Sequence, residues 1–328
     1  MIDFLVGKKI LITGGMGFIG SNLARRLIEL GNEITIVDSL IAEYGGNLRN
    51  LHDLRDEIRI NLSDIRDEFS MKEIIKDKDY LFNLAGQTSH LDSMENPFVD
   101  LDINAKAQLS ILEACRKNNP EIRVVFASTR QIYGKPNYLP VDENHPLNPV
   151  DVNGVNKIAG EQYHLLYNKV YGIASSVLRL TNTYGPRMRI KDARQTFLGI
   201  WIRNLLEGKP IQVFGNGSQR RDYNFVNDVV DAFLIVATSK IAIGKAYNLG
   251  APDPLSLDET ARLMCEKVDG SSYEHIPFPQ NRKAIDVGDF ICDYSTFSET
   301  FGWKPEVTFD QGIAESIDYF RDEIKYYI

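Results

Sequence analysis

The sequence has few cysteines and no long apolar run. Its 328 residues include three cysteines, odd in number, far apart and without CxxC spacing. This pattern predicts buried thiols in a reducing compartment and excludes a disulfide framework. No apolar run approaches the roughly 18 residues of a membrane span, and the opening MIDFLVGKK places its lysines after its apolar stretch, unlike a signal peptide. We therefore expect a cytoplasmic protein with no membrane partner.

Positive charge and metal-binding patterns are also scarce. The formal net charge is −8, whereas neutralising many phosphates requires clustered Lys and Arg. The five histidines are scattered, with no HxxxH spacing and no His/Cys pairing. These features predict no nucleic-acid partner and no metal site.

What the chain does have is an alternation of strands and helices. From residue 8 to about 180, apolar strand segments alternate with helical segments near residues 18–30, 96–117 and 153–171; the strand segments read KKILIT, EITIVD, DYLFNLA, RVVFAS and ASSVLRL. Continuous apolar strands flanked by helices are typical of a parallel sheet covered on both faces. The pattern predicts an α/β fold with a Rossmann-type doubly wound sheet.

With 328 residues, the chain exceeds the usual size of a domain built around one hydrophobic core. Beyond residue 180 the elements become shorter, with helices near residues 227–239, 256–268 and 310–325. We predict a first domain over residues 1–180, with part of residues 222–245 packed on it. Residues 181–328 are expected to form a smaller α/β domain that binds the substrate.

A glycine-rich segment follows the first strand. GGMGFIG contains Gly14, Gly17 and Gly20, and its Phe18 and Ile19 open an apolar-periodic helix. The first glycine permits a tight turn, the second lets the backbone approach a pyrophosphate, and the third lets helix and strand pack closely. The helix N-terminus adds amide donors, so the segment predicts a dinucleotide site.

Two acidic positions extend this site. Asp38 ends the strand EITIVD, 18 residues after Gly20, where a carboxylate can bind ribose hydroxyls and repel a 2′-phosphate. NAD is therefore favoured over NADP, although Asp38 would look the same if it only capped a turn. Asp64 and Ile65 follow the strand IRINL and are candidates for the adenine, with an exposed turn as the alternative for Asp64.

The motifs together resemble the extended short-chain dehydrogenase/reductase family, in its nucleotide-sugar epimerase/dehydratase branch. The resemblance runs through most of the chain, in TGGMGFIG, NLAGQ, INAKA, ASTRQIYG, KIAGE, LRLTNTYGP, QRRDYNFVNDVVDA and FGWKPEVTFDQGI. It implies NAD as cofactor, with Leu84, Ala85, Asn104 and Lys157 completing its site. It also implies a homodimer joined through the helices near residues 96–117 and 153–171.

The sequence departs from this family at its Tyr-x-x-x-Lys pair. In relatives the phenol moves the proton, while the lysine lowers its pKa and holds the nicotinamide ribose. The lysine here is Lys157, but the position four residues earlier is Asn153, and no tyrosine occurs between Tyr138 and Tyr163. An amide does not titrate at neutral pH, so Asn153 cannot act as the base.

Several groups remain candidates for the proton carrier. Lys157 could act directly if burial and a positive nicotinamide lower its pKa. His90 could act because imidazole changes charge near neutrality, although a solvent-facing loop residue would look the same. A water held by Asn153 and Thr129 is the third candidate.

The resemblance also assigns roles around the sugar. Thr129 matches the Ser or Thr that bonds the reacting hydroxyl, with a satisfied strand-end hydroxyl as the alternative. Arg130 and Gln131 stand where 4,6-dehydratases carry an Asp and a Glu, which disfavours dehydration.

The residues of the second domain complete the substrate site. Arg221 and Arg282 match guanidinium groups on the diphosphate, and Asn182 matches a position that contacts phosphate or sugar. Val213 and Phe214 could flank the nucleoside base, or could equally be core residues of a strand.

The function predicted from these features is that of an NAD-dependent oxidoreductase/epimerase acting on a nucleotide-diphosphate sugar through a transient keto-sugar. One alternative is a non-catalytic NAD(H)-binding sensor or scaffold, which the loss of the phenol at Asn153 motivates. The other is a nucleotide-sugar 4,6-dehydratase with atypical acid/base residues.

Overall fold

The computed structural model describes residues 5–328. In this part of the chain there are thirteen strands: β1 (Lys9–Thr13), β2 (Glu33–Val37), β3 (Ile58–Asn61), β4 (Tyr80–Asn83), β5 (Arg123–Thr129), β6 (Ala174–Leu180), β7 (Asn182–Tyr184), β8 (Ile211–Phe214), β9 (Arg220–Arg221), β10 (Tyr223–Phe225), β11 (Ala246–Leu249), β12 (Leu255–Ser256) and β13 (Tyr273–Ile276).

The same residues form twelve α-helices: α1 (Phe18–Glu29), α2 (Glu68–Ile74), α3 (His90–Glu95), α4 (Pro97–Leu101), α5 (Ala107–Asn118), α6 (Val152–Tyr171), α7 (Phe197–Leu206), α8 (Val226–Thr238), α9 (Leu257–Cys265), α10 (Gln280–Lys283), α11 (Ser295–Phe301) and α12 (Phe309–Glu323). The helix predicted near residues 96–117 consists of α4, a π-helical turn at Asp102–Lys106, and α5.

Seven strands form one parallel sheet in the order β11-β6-β5-β4-β1-β2-β3. The chain winds outward from β1 to β3, returns to the centre at β4 and continues to the opposite edge. The direction of winding therefore reverses between β1 and β4, where open α/β sheets form a binding crevice. The predicted Rossmann-type doubly wound sheet is confirmed.

The central strands are apolar because both faces of the sheet are covered. Leu11 and Val37 pack on one side with residues of α2, α5 and α6. Ile12 and Ile36 pack on the other side with α1 and α8. Alternate residues of one strand thus enter different cores, which explains why these strands read as continuous apolar runs.

The second half of the chain forms a smaller unit with its own core. β8 pairs in parallel with β13, and residues of α7, α9 and α12 pack around Trp201, Ile313 and Phe320. α8 and β11 lie with the large sheet instead, since α8 packs on α1 and β11 pairs with β6. Residues 226–249, which contain α8 and β11, therefore pack with the large sheet. The domain boundary at residue 180 stays a prediction.

A buried polar network ties α6 to the sheet. Arg179 Nε of β6 donates to both carboxylate oxygens of Glu161 at 3.2 Å, and Ser128 Oγ donates to the same carboxylate at 2.7 Å. Arg179 Nη1 donates to the Tyr133 hydroxyl at 2.6 Å, and that hydroxyl donates to Asn248 Oδ1 at 2.7 Å. The network therefore fixes α6 against β5, β6 and β11.

We expect Glu161→Ala to lower the free energy of unfolding by about 3–5 kcal/mol, because it leaves the Arg179 guanidinium buried without its carboxylate. Urea denaturation measures this loss. The double variant Glu161→Ala/Arg179→Met is the control and should lose less than Glu161→Ala alone. A loss below about 1 kcal/mol for the single variant, the size of a surface ion pair, would contradict a stabilising role for this network.

Candidate active site

One cleft of about 830 Å³ opens at the carboxyl edge of the sheet and extends to the smaller unit. It brings together most residues predicted from the sequence: Gly14, Gly17, Phe18, Ile19, Gly20, Asp38, Asp64, Ile65, Leu84, Ala85, His90, Thr129, Asn153, Lys157, Asn182, Phe214, Arg221 and Arg282. Asn104 and Val213 do not line it.

The glycine loop is packed too closely to hold side chains at Gly14 and Gly20. Gly14 has φ +70°, and a Cβ there would lie 2.9 Å from Cα of Ala85. A Cβ at Gly20 would collide with the carbonyl oxygen of Gly14, so α1 packs against the loop only because this residue is glycine. Gly17 is the N-cap of α1 and has no side chain to cover the amides of its first turn.

Asp38 both supports the loop and faces the cleft. Its Oδ2 accepts from the Met16 amide at 2.9 Å and its Oδ1 from the Leu40 amide at 2.9 Å. Burial raises the pKa of Asp38, and these two hydrogen bonds partly offset that rise. Each carboxylate oxygen keeps acceptor capacity for a ribose hydroxyl.

Asp64 and Ile65 line the cleft beyond Asp38. The Asp64 carboxylate is held in a bidentate pair by Arg66, with Nε at 2.9 Å and Nη2 at 2.7 Å, and this contact lowers the pKa of Asp64. Ile65 is buried. Ile65 therefore forms the apolar wall at this end of the cleft, whereas the Asp64 carboxylate is already paired with Arg66.

The loop after β4 forms the wall opposite the glycine loop. Leu84 and Ala85 line it directly. A Cβ at Gly86 would lie 2.9 Å from Asn104 Oδ1 and 3.2 Å from Lys157 Nζ. Asn104 stands behind this glycine, fully buried, and donates to the Gln87 carbonyl at 2.9 Å, so it supports the wall from outside the cleft.

Lys157 projects from α6 into the centre of the cleft. Its Nζ donates to the Ala127 carbonyl at 3.0 Å and lies 4.9 Å from the ring centroid of Phe126. Burial lowers its pKa to about 8, against the field of Asp100. The side chain has two further N–H donors for a bound ligand.

Asn153 lies one turn before Lys157 on α6 and is almost fully buried. Its amide Nδ2 donates to the Gln87 carbonyl at 2.8 Å and to Asp100 Oδ2 at 3.0 Å. Asn156 donates to the other oxygen of Asp100 at 2.8 Å. The amide nitrogen of Asn153 is thus committed to a buried network.

Thr129 ends β5 at the edge of the cleft. Its hydroxyl oxygen accepts from the Gln131 amide at 3.2 Å and caps the short 3₁₀ turn that follows. The hydroxyl hydrogen has no acceptor in the described part of the chain, so it is available to a ligand in the cleft.

His90 lies in the cleft beside a buried carboxylate. Its Nδ1 is 2.9 Å from Asp151 Oδ2, a close contact that lacks the alignment of a hydrogen bond. Asp151 also accepts from the Gly154 amide at 2.7 Å as the N-cap of α6, and from Gln131 Nε2 at 2.9 Å. Burial would raise the pKa of Asp151, but His90 and these hydrogen bonds outweigh it and hold the pKa below its usual value.

The diphosphate candidates line the other end of the cleft. Arg221 is buried, with Nη1 donating to the Arg220 carbonyl at 2.8 Å and Nη2 donating to Gln219 Oε1 at 3.1 Å. Arg282 lies over the ring of Phe214, 5.7 Å from its centroid, and Phe278 packs against the same ring at 5.5 Å.

The remaining substrate candidates differ in their surroundings. Asn182 lines the cleft, but its amide Nδ2 donates to the Asp222 carbonyl at 2.9 Å. Val213 is fully buried in the core of the smaller unit. Of the pair proposed to flank the base, only Phe214 therefore reaches the cleft.

Asp151 and Phe278 are cleft-region residues that sequence reasoning missed. Asp151 carries the signal of a helix N-cap three residues before Gly154. That signal predicts a structural role and says nothing of His90. Phe278 lies in a short segment without a distinctive pattern.

Residues 5–328 contain neither a metal-binding cluster nor a helix that could span a membrane. No group of three or more His, Cys, Asp or Glu side chains is arranged to hold a metal ion. No helix in this part of the chain has the length and hydropathy needed to cross a membrane.

Known proteins resemble this chain along nearly its whole length. It is 36% identical over 95% of its residues to a putative UDP-glucose 4-epimerase of Methanocaldococcus jannaschii, of which 98% is covered. It is 31% identical over 97% of its residues to UDP-glucuronic acid decarboxylase 1 of Xenopus tropicalis, of which 73% is covered. The UDP-glucose 4-epimerase of Thermotoga maritima, solved with UDP-glucose, superposes with a TM-score of 0.87 at 30% identity, covering 96% of this chain and 99% of that one.

The model of a protein family matches residues 10–250, which span the glycine loop, Thr129, Lys157 and Arg221. This match covers well over half of the chain. The chain belongs to the NAD dependent epimerase/dehydratase family.

Proposed function

We propose that this protein is an NAD-dependent enzyme that oxidises one hydroxyl of a nucleotide-diphosphate sugar to a ketone and then reduces the ketone, which gives an epimerised sugar. The observation that carries the proposal is the continuous cleft. It joins the glycine loop at one end to Arg221 and Arg282 at the other, with Thr129, Lys157 and His90 between them.

The cofactor half of the cleft fits NAD. The amides at the start of α1 would hold the pyrophosphate, Asp38 the adenosine ribose, and Lys157 the nicotinamide ribose. When bound, NAD supplies the hydride acceptor and donor. The chain's own residues then need only to orient the sugar, exclude water and move one proton.

The substrate half offers donors for a diphosphate and a sugar. Arg221 and Arg282 are the proposed phosphate ligands, and Phe214 is the apolar face for the base. Thr129 donates to the reacting hydroxyl, which fixes that oxygen beside Lys157. These side chains come from separate elements, so binding requires the folded cleft.

We propose that His90 and Asp151 together replace the family's tyrosine, whose position corresponds to Asn153. Asn153 holds the loop through Gln87, and its amide carries no titratable proton. His90 Nδ1 faces Asp151, and Nε2 has no hydrogen-bond partner within residues 5–328. His90 Nε2 is then the proton acceptor, and the Asp151 carboxylate beside Nδ1 stabilises the charged form of the ring. Lys157 stays a ligand of the cofactor.

The alternative functions have less support. Nothing in the family match or the relatives favours a non-catalytic sensor. For a 4,6-dehydratase, the cleft carries Arg130 and Gln131 after Thr129, and neither side chain can remove and return protons as a carboxylate pair does.

A homodimer and a cytoplasmic location are further proposals. α4 exposes Phe98 and α6 exposes Val155, Leu166 and Val170, which are roughly half or more accessible. Spacings of eleven and four residues place the three α6 side chains on one helical face. Apolar side chains grouped on neighbouring helices are typical of a subunit interface.

The function is tested by mixing the purified protein with UDP-, GDP-, CDP- and dTDP-sugars and following NADH absorbance, with product analysis in deuterated water. We expect transient NADH with one nucleotide series and an epimer without deuterium on carbon, because the hydride returns to the carbon it left. A product with solvent deuterium on carbon would instead identify a dehydratase. Absence of any NADH signal or product across the panel would refute the proposed function.

His90→Gln should lower kcat by about 100-fold or more with little change in KM, since general acid/base groups contribute on this scale. Asp151→Asn should also lower kcat, because Asn preserves the helix cap but not the charge. Free imidazole should restore part of the activity of His90→Ala. Steady-state kinetics across pH measures these effects.

The matched control for this test is His52→Gln, which alters a surface histidine 3.6 Å from Asp53 and should keep full activity. If His90→Gln retains kcat while activity rises through about pH 8, near the pKa of Lys157, the proton carrier is Lys157 and the role of His90 is refuted.

Phe98→Asp should convert a dimer to a monomer, because a charge cannot be buried unpaired in an apolar interface. Light scattering after size-exclusion chromatography measures the mass. Phe69→Asp, which alters an equally exposed phenylalanine outside these helices, should leave the mass unchanged. A wild-type protein of monomer mass would exclude the homodimer.

A further inference from the structure

Arg130 is a cleft residue whose hydrogen-bonding groups are unused. It follows Thr129 directly and lines the cleft. Within residues 5–328 it forms no hydrogen bond and no ion pair, and its Nη1 is buried without a partner. A buried donor left unpaired costs about 1–3 kcal/mol, and more when it is charged.

The guanidinium nevertheless keeps its charge at neutral pH. Burial, and then the neighbouring charge of Arg221, lower the pKa of Arg130, but only to about 10. A charged group with five N–H donors therefore stands beside the hydroxyl proposed to orient the sugar.

Asp222 is the obvious partner inside the protein, yet it does not serve as one. It is fully buried and does not line the cleft, and neither of its carboxylate oxygens accepts a hydrogen bond from another side chain in the described part of the protein. Burial raises its pKa to about 6. Asp222 thus offsets part of the charge of Arg130 through space and leaves its donors free.

Two other arginines of the cleft have protein acceptors. Arg194 donates to Asp92 at 2.8 Å and to Asp192 at 2.9 Å, and Arg221 donates to backbone carbonyls. Among residues 5–328 Arg282 has no such acceptor, but it lies over Phe214 at the far end of the cleft. Arg130 is the guanidinium at the sugar end whose donors are unfilled.

The position of Arg130 leaves its edge available. Its Cζ lies over the ring of Phe290, 5.0 Å from the ring centroid, which is a cation–π contact. This contact occupies none of the N–H groups of the guanidinium with a hydrogen-bond acceptor. A planar fork held in this way matches a carboxylate.

We infer that Arg130 recognises a carboxylate on the sugar, so that the substrate is a nucleotide-linked hexuronic acid. This inference rests on the proposed function and adds the substrate class to it. In this arrangement Arg221 and Arg282 bind the diphosphate. Arg130 donates hydrogen bonds to the carboxylate next to the reacting carbon.

The test compares matched ligands by calorimetry on the NAD-loaded protein. The probes are UDP, UDP-glucose and UDP-glucuronic acid, or the same trio built on CDP, GDP or dTDP if that free diphosphate binds more tightly. Wild type should bind the uronic acid about tenfold to a hundredfold more tightly than the hexose. Arg130→Gln should abolish this preference and leave the affinity for the free diphosphate unchanged. Arg130→Lys, which keeps the charge, should restore part of it.

Arg194→Gln is the matched control, because Arg194 lines the same cleft with its donors already filled; the preference for the uronic acid should survive it. Equal affinity of wild type for the two sugars would overturn the inference. An equal loss for all three probes in Arg130→Gln would also overturn it, by assigning Arg130 to the diphosphate. If no diphosphate or sugar nucleotide binds, the proposed function itself fails, which is a different outcome.

Discussion

The contact between the loops after β1 and β4 sets the positions of the glycine loop, the start of α1 and the β4 loop, on which the rest of the cleft is built. The two strands lie side by side where the winding of the sheet reverses, so their loops meet instead of being separated by a crossing helix. Gly14 approaches Ala85 so closely that a single Cβ would force them apart. This approach leaves the start of α1 open to a ligand and aligns the β4 loop with α6. Both halves of the cleft depend on it.

α6 is the second element on which the site is built. The Glu161–Arg179 pair fixes α6 against the sheet, and the Asp151 side chain caps its first turn. Side chains one turn apart then reach different partners, since Asn153 holds the β4 loop and Lys157 enters the cleft. A rigid helix that carries both residues keeps the β4 loop and the Lys157 ammonium at a fixed distance from each other.

Burial and hydrogen bonding shift the pKa values of the ionisable groups in and around the cleft in different directions. Asp151, met by several donors, has a lowered pKa, whereas burial lowers the pKa of Lys157 and raises that of Asp222. Arg130 stays charged in spite of its burial. The fold therefore keeps the Arg130 guanidinium charged although no hydrogen bond within residues 5–328 satisfies it. The unfavourable free energy of this arrangement has to be offset by stabilising contacts elsewhere in the structure.

The sequence by itself determined the parallel sheet, the glycine loop and the elements that carry Asp38, Thr129 and Lys157. These features depend on periodicity and on backbone requirements within short segments, which local chemistry records. Only the tertiary structure decided that His90 meets Asp151, that Val213 faces the core, and that Arg130 has no hydrogen-bond acceptor within residues 5–328. Such facts depend on residues distant along the chain, and the strand order and the packing of α6 bring those residues together or keep them apart.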